Sequence, residues 1–203
     1  MALTIPVAHD FVCPWCWAAL LQVRRLQAEF DVEFDWIGYE LFPVGMDYPR
    51  PGPAPEVPAN KPPVPNRFEF LQYADGFTMP SATRPRQMRT TNAHLAVEFA
   101  KRAGRQAEVI EAIYTAYWER GLEINDLHVL RTVLEPVVED IDALIQSVES
   151  REFFDQIVPY DDPAYATGVY NVPTFFIGDQ RLAEQPYVVL HRAVQAVLGV
   201  AAD

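Results

Sequence analysis

The first forty residues hold two strand-like runs with a helical one between them, and that order limits the fold more than any other feature of the chain. Leu3 to Ala8 is short, mostly apolar and β-capable, with Pro6 suited to an edge or irregular position. In WCWAALLQVRRLQAEF, the residues Leu20, Val23, Leu26, Gln27 and Phe30 recur at helical spacing, with polar residues mainly between them. VEFDWIGYEL then alternates: Val32, Phe34, Trp36 and Gly38 face one way, and Glu33, Asp35 and Ile37 the other. Strand, helix and strand in so short a span predict a parallel pair joined by a right-handed crossover, hence an α/β fold.

Residues 43–66, PVGMDYPRPGPAPEVPANKPPVPN, carry too many prolines for a regular element. They predict a long surface loop, either a linker or a lid. Residues 67–79 hold at most a short helix. From Arg86 to about Phe154 the pattern is helical, clearest where Val109, Ile110, Ile113, Tyr114, Tyr117 and Trp118 form one broad stripe. That stripe reads as the core of a helical subdomain. Gly121 is placed to end its helix, and Asp126 to cap the next, which carries Leu127, Leu130 and Leu134. A further stripe runs through Ile141, Leu144, Ile145 and Val148. The last forty residues read as a turn, a strand at Thr174 to Ile177, a turn at Gly178-Asp179, a returning strand near Arg181 to Ala183, and a closing helix. The two ends together predict one sheet. Residues 1–42 and 161–203 form the sheet unit, 43–82 a proline-rich connection, and 83–160 an inserted helical subdomain.

Half of the 203 residues are apolar, enough for a sizeable core. Sixteen basic residues face 28 acidic ones, a formal charge of -12. That favours solubility and argues against nucleic acid or an anionic membrane as the main partner, a local basic patch excepted. No run of about 20 apolar residues predicts a membrane span. The N-terminus lacks the basic, apolar and small-residue regions of a signal peptide, so the expected compartment is cytoplasmic. A structural disulfide does not persist there, which pushes a close cysteine pair toward catalysis or metal.

Both cysteines lie in VAHDFVCPWCWAAL. Cys13 stands at a helix start, with Pro14 in the first turn, where free backbone N–H groups and the helix dipole stabilise a thiolate. Cys16 lies one turn further in and is expected to be shielded. Such a pair exchanges disulfides: Cys13 attacks, and Cys16 resolves the mixed disulfide. Two other readings compete. Half of a zinc site needs two more ligands, and His9, His94, His128 and His191 form no compact second pair. Two inert buried thiols are the third possibility.

The second motif is NVPTFF. Pro173 cannot donate to a β-ladder, so it belongs at an edge or at the strand's first residue. A cis Val172–Pro173 bond would turn the Val172 backbone toward the cysteines, but most X–Pro bonds are trans and the residues leave the isomer open. Among the neighbours, Asp10 is either a proton relay for Cys16 or a solvated loop acid, and His9 either tunes the thiolate or is structural. Glu33 and Asp35 belong on the solvated face of their strand. An inward-facing acid would shift its own pKa and accept the resolving thiol's proton. Trp15 is expected to be exposed to partners and Trp17 to be core. Phe42, Tyr48 and Phe77 either line a groove between the subdomains or simply pack.

Taken together, these segments resemble the thioredoxin-like superfamily, and more narrowly the DsbA-like group that includes FrnE-type oxidoreductases. DFVCPWCWAAL is similar to that family's active-site loop and first helix, and GVYNVPTFFIGDQRL to its cis-proline loop and following hairpin. The resemblance covers nearly the whole chain in order. It implies a thioredoxin-like fold with an inserted α-helical subdomain. It also implies protein dithiol–disulfide oxidoreductase activity, with isomerisation within range. No cofactor and no metal are implied, because the cysteines carry the electrons. Under it Cys13 is the nucleophile, Cys16 the resolving cysteine and Pro173 the cis-proline facing them. Val172 contacts substrate backbone, and Pro14 and Trp15 match the intervening pair of the FrnE-like branch. Trp15 stands where the periplasmic oxidant carries histidine, so equal oxidising power does not follow.

Kappa-class glutathione transferases and 2-hydroxychromene-2-carboxylate isomerases share the fold but typically carry serine or another non-thiol residue where this chain has Cys13. Keeping both thiols favours redox chemistry. The expected partners are protein thiols or disulfides, with glutathione a further candidate and the chain a monomer or homodimer. Two alternatives remain open. A glutathione-dependent transferase or isomerase predicts turnover independent of a Cys13–Cys16 disulfide. A redox-sensing interaction module predicts a partner change on oxidation with poor exchange.

Overall fold

A computed structural model describes residues 2–48 and 64–200 of the chain. Most of the proline-rich segment, expected as a surface loop, lies outside the described residues. The leading strand, β1 (Leu3–His9), pairs in parallel with β2 (Val32–Glu40), Leu3 opposite Val32 and His9 opposite Gly38. The intervening helix α1 (Pro14–Glu29) starts on the proline and turns Cys16, Ala19, Leu20, Val23 and Leu26 inward. Gln27 is exposed, against expectation. Gln22 is buried in its place, because its amide reaches the Gln185 carbonyl at 2.9 Å. In β2, Val32, Phe34 and Trp36 are buried, while Glu33 is exposed and Asp35 half-buried.

Four helices fill the stretch expected to be helical, after a first one, α2 (Arg67–Asp75), that is capped by Asn66 and Glu69 in a reciprocal box. These are α3 (Thr91–Lys101), α4 (Gln106–Trp118), α5 (Leu127–Leu134) and α6 (Ile141–Ser150). Asp126 caps α5 as expected, its carboxylate accepting from the N–H groups of His128 and Val129. Gly121 follows α4 at φ +68°, with the Thr83 carbonyl lying where a Cβ would stand, so only glycine admits the 82–85 loop there.

The chain then returns to the sheet. A two-residue strand, β3 (Val158–Pro159), adds in parallel to β2, and a single-turn helix, α7 (Asp162–Ala166), precedes the second motif. Neither was marked by periodicity, which needs more residues than either has. β4 (Thr174–Ile177) runs antiparallel to β1, β5 (Gln180–Ala183) antiparallel to β4, and α8 (Tyr187–Leu198) closes the fold. The strand order is β3-β2-β1-β4-β5.

One continuous core joins the sheet to the helices, running from Ile5, Val7 and Phe175 through Trp36 to Ile113 and Leu130. The α4 stripe is therefore not a separate core. Tyr114 alone lies against the rings of His9, Phe11, Trp17 and Trp36, because its side chain points from α4 to the end of β1. Each such fully buried large side chain contributes about 1.5–3 kcal/mol of transfer free energy.

Candidate active site

The turn from β1 into α1 places the cysteines. The Cys13 N–H donates to the Asp10 carbonyl at 3.2 Å, and its own carbonyl accepts from the N–H groups of Cys16 and Trp17, both at 3.1 Å. Cys13 is thus the residue that caps α1, with φ -78° and ψ 122° and no side-chain capping bond. Its thiol is left for other partners. The Cys13 Sγ donates to the Val172 carbonyl oxygen at 3.3 Å, across 159 residues of chain.

The Val172–Pro173 peptide bond is cis. Thr174 Oγ1 donates back to the Asn171 carbonyl at 2.6 Å, and the Glu184 N–H donates to the Pro173 carbonyl at 3.1 Å, so the second motif is held from both sides. Pro173 immediately precedes β4, as a residue without an N–H donor should.

Both cysteines are free thiols. Cys13 retains 6% exposure and Cys16 none. Burial pushes the Cys16 thiol well above its ordinary pKa; the hydrogen bond and charge of Cys13 add to this, and a backbone hydrogen bond from Asp10 opposes it. The pair therefore combines one sulfur at the edge of the surface with a second held neutral one turn behind it.

Pro14 is exposed, but Trp15 is not, contrary to expectation. Helix α2 half-covers it: Phe68 meets the indole edge-to-face at 5.1 Å, and the Arg67 guanidinium stands 5.5 Å from the ring centroid. Trp17 is core, stacked on Trp118 at 6.2 Å.

Asp10 and His9 are both fully buried, so Asp10 is not the solvated loop acid its position suggested. One carboxylate oxygen accepts from the Leu41 N–H at 2.7 Å, and the other lies 3.4 Å from His94 Nε2, itself buried. Among the described residues, His9 makes its side-chain hydrogen bond to α4 and not to Cys13. Its Nδ1 lies 3.0 Å from the Tyr114 hydroxyl, and burial, followed by the charges of His94 and Lys101, drives its pKa well below the usual value. The Tyr114 phenol is itself pushed well up, first by burial and then by the charges of Cys16 and Cys13.

Four residues of this environment carried no distinguishing signal in the sequence. Tyr114 and Trp118 were part of an apolar stripe, yet the Trp118 Nε1 donates to the Phe11 carbonyl at 2.8 Å and so clamps the cysteine loop. In the sequence, His94 stands out only as a candidate zinc ligand. Glu40 is the inward-facing acid that neither Glu33 nor Asp35 supplies. It is buried at the end of β2 and accepts from the Thr90 N–H at 3.0 Å and the Thr91 hydroxyl at 2.7 Å, where α3 begins. Among the described residues, no three His, Cys, Asp or Glu side chains converge as a metal site. Phe42 and Tyr48 lie 5.3 Å apart beneath Arg89, and Phe77 packs on Phe68 at 6.0 Å.

A strand–cysteine turn–helix entry facing a cis-proline loop, on a five-stranded sheet covered by helices, defines a thioredoxin-like fold. The chain belongs to the family of DsbA-like thioredoxin domains, whose model matches residues 4–195. It is 25% identical over 185 residues to the uncharacterized protein YwbO of Bacillus subtilis (strain 168), covering 88% of each chain. It is 23% identical over 184 residues to a 2-hydroxychromene-2-carboxylate isomerase of Sphingobium xenophagum, covering 89% of this chain and 91% of that one. The cytosolic disulfide reductase DsbM of Pseudomonas aeruginosa has the same fold, with 17% identity, a TM-score of 0.65 and 97% of each chain covered. Its structure with GSH matches with a TM-score of 0.63.

Proposed function

We propose that this protein is a protein dithiol–disulfide oxidoreductase of the FrnE type, with isomerisation within its range. The observation that carries this reading is the pairing of a near-surface Cys13 Sγ, at a helix N-terminus and against the Val172 carbonyl, with a neutral Cys16 one turn behind. Cys13 as thiolate attacks one sulfur of a partner disulfide; that S–S bond breaks, and the departing partner thiolate takes a proton. Cys16 then loses its proton and attacks Cys13 Sγ, releasing the second partner thiol and leaving a Cys13–Cys16 disulfide. Two electrons have passed to the partner. Run backwards, the same steps oxidise a partner dithiol. Val172, Pro173, Pro14 and Trp15 form the surface on which the partner lies, with His9 and Asp10 as supports beneath it.

We read residues 1–42 and 161–203 as the thioredoxin-like unit and 83–160 as the helical insertion. The partners are protein thiols and disulfides, with glutathione as the small thiol that recharges the pair; the GSH-bound relative supports including it. The proposed compartment is the cytoplasm, as for the cytosolic DsbM. Among the described residues, no helix is long and apolar enough to cross a membrane.

A second reading, a glutathione-dependent isomerase or transferase of small molecules, draws on the relative that carries the isomerase name. Thiol trapping in glutathione redox buffers, beside Cys13→Ser, separates the two. The oxidoreductase reading expects a reversible internal disulfide with rapid exchange; saturable glutathione binding with no such disulfide would move the isomerase reading ahead.

A further inference from the structure

Beside Val12, the residue before Cys13, a cleft of about 610 Å³ opens toward the loop that precedes α3. Val12, Phe42, Thr83, Arg84, Arg86 and Tyr117 line it, and among the described residues no carboxylate does. In a chain of formal charge -12 this is a local reversal of sign. Among the described residues, neither Arg84 nor Arg86 has an acidic group within ion-pair distance.

Arg84 is held in place by neutral groups. Its Nη1 donates to the carbonyls of Pro80 at 3.2 Å and Ala82 at 3.0 Å. Its guanidinium carbon stands 4.5 Å from the Trp118 ring centroid, and that same indole is bonded to the Phe11 carbonyl of the cysteine loop. The Tyr117 hydroxyl donates to the Pro85 carbonyl at 3.2 Å, and Gly121 seats Thr83. One indole therefore couples the arginine to the cysteine turn. The Nε–Nη2 edge, which grips a carboxylate side-on, has no hydrogen-bond partner among the described residues. Arg86, exposed, adds a second positive charge two residues on.

We propose that this cleft recognises an acidic residue flanking the reactive cysteine of the partner. Peptide disulfides with a carboxylate next to the half-cystine are then its preferred substrates. The inference rests on the dithiol–disulfide reading and names its substrate class. The general negative charge does not cancel the effect, since exposed charges are screened beyond about 8 Å at physiological ionic strength. The contact at the cleft decides. A charge-assisted pair on a fixed but partly solvated arginine is worth roughly a tenfold preference.

The test mixes reduced protein with three peptide disulfides that differ only in Glu, Gln or Lys beside the half-cystine. Glutathione disulfide and the neutral bis(2-hydroxyethyl) disulfide run in parallel, and exchange rates are read by quenched thiol trapping. The expected order is Glu, Gln, Lys, with Glu over Lys by about tenfold at physiological ionic strength. The Arg84→Gln, Arg86→Gln double variant brings that ratio to about one. Arg84 also packs on Trp118, so the exposed Arg86→Gln alone serves as the second variant and lowers the ratio by about two- to threefold.

Equal rates for the three peptides, or a preference surviving in the double variant, overturn the proposal. Exchange with the neutral disulfide but no charge ratio overturns the cleft alone. No exchange with any disulfide overturns the redox reading and the cleft's role together. Glutathione disulfide sorts the source of the carboxylate. A glutathione disulfide rate that falls with the Glu peptide in the double variant extends the cleft to glutathione's own carboxylates, and one that does not restricts it to the side-chain carboxylate of a flanking acidic residue.

Discussion

The two flanks of the cysteine turn differ in what they offer a reacting sulfur. On the Val172 side there is backbone: a carbonyl oxygen 3.3 Å from Cys13 Sγ and a cis-proline loop tied by Thr174 and Glu184. On the α4 side there are buried rings, Tyr114 and Trp118, whose polar ends reach His9 and the Phe11 carbonyl. One flank offers polar backbone, and the other is a buried aromatic wall. The difference teaches how one short turn holds two thiols in unlike surroundings: Cys13 keeps slight exposure beside a backbone carbonyl, and burial raises the fully enclosed Cys16 well above the ordinary thiol pKa.

The largest effect that would break this division is at Cys13. Cys13→Ser should lower disulfide exchange by on the order of 10³-fold or more, as loss of a nucleophile does. Cys16→Ser should instead trap the partner on Cys13, visible as a mass adduct; an adduct on neither variant would sink the assignment. Next in size is the pH dependence of release. A folded thiol raised above the usual range of about 8.5 gains roughly tenfold in thiolate per pH unit until its own pKa is passed. Decay of the mixed disulfide should therefore keep rising from pH 7 beyond pH 9, and a plateau near pH 8 would show that the seal leaks.

Smaller effects sharpen the sealed side. A Cβ at Gly38 would stand 2.7 Å from His94 Nδ1 and 3.2 Å from His94 Cβ, with both residues buried. Gly38→Ala should cost about 1–3 kcal/mol in urea unfolding, as overpacking does, by driving His94 from Asp10. An unchanged midpoint would mean that the imidazole moves freely. The gentlest test is acid. His9 is held neutral when folded, whereas an unfolded histidine takes up a proton below about pH 6.5. The unfolded state then binds more protons, so stability is present above that pH and lost as pH falls below it. The slope is at most about 1.4 kcal/mol per unit from this group. Unfolding free energies at pH 7.5 and 5.5 should show it, and His9→Gln should flatten it.

Much of the fold was legible because its signals are local. The alternation in VEFDWIGYEL, the helical spacing of α1 and α4, the Asp126 cap and the turn at Gly178 each span fewer than twenty residues. β3 and α7 escaped because two and five residues hold too little of either period. At the site, the positions of Cys13 at a helix start and Pro173 before a strand could be read from neighbouring residues alone. The isomer of the Val172–Pro173 bond could not.

What the sequence by itself determined was the chemistry at hand: two thiols three apart at a helix entry, and a donor-free residue opening a strand. Only the tertiary structure decided what surrounds them. It buries Asp10, half-covers Trp15 with α2, and brings Tyr114 and Trp118 from about a hundred residues away onto the cysteine loop. The reason is physical. Periodicity reports which face of an element is apolar, but a tyrosine on that face reads the same whether it meets a leucine or a cysteine turn. The raised pKa of Cys16 likewise comes first from burial in the folded chain.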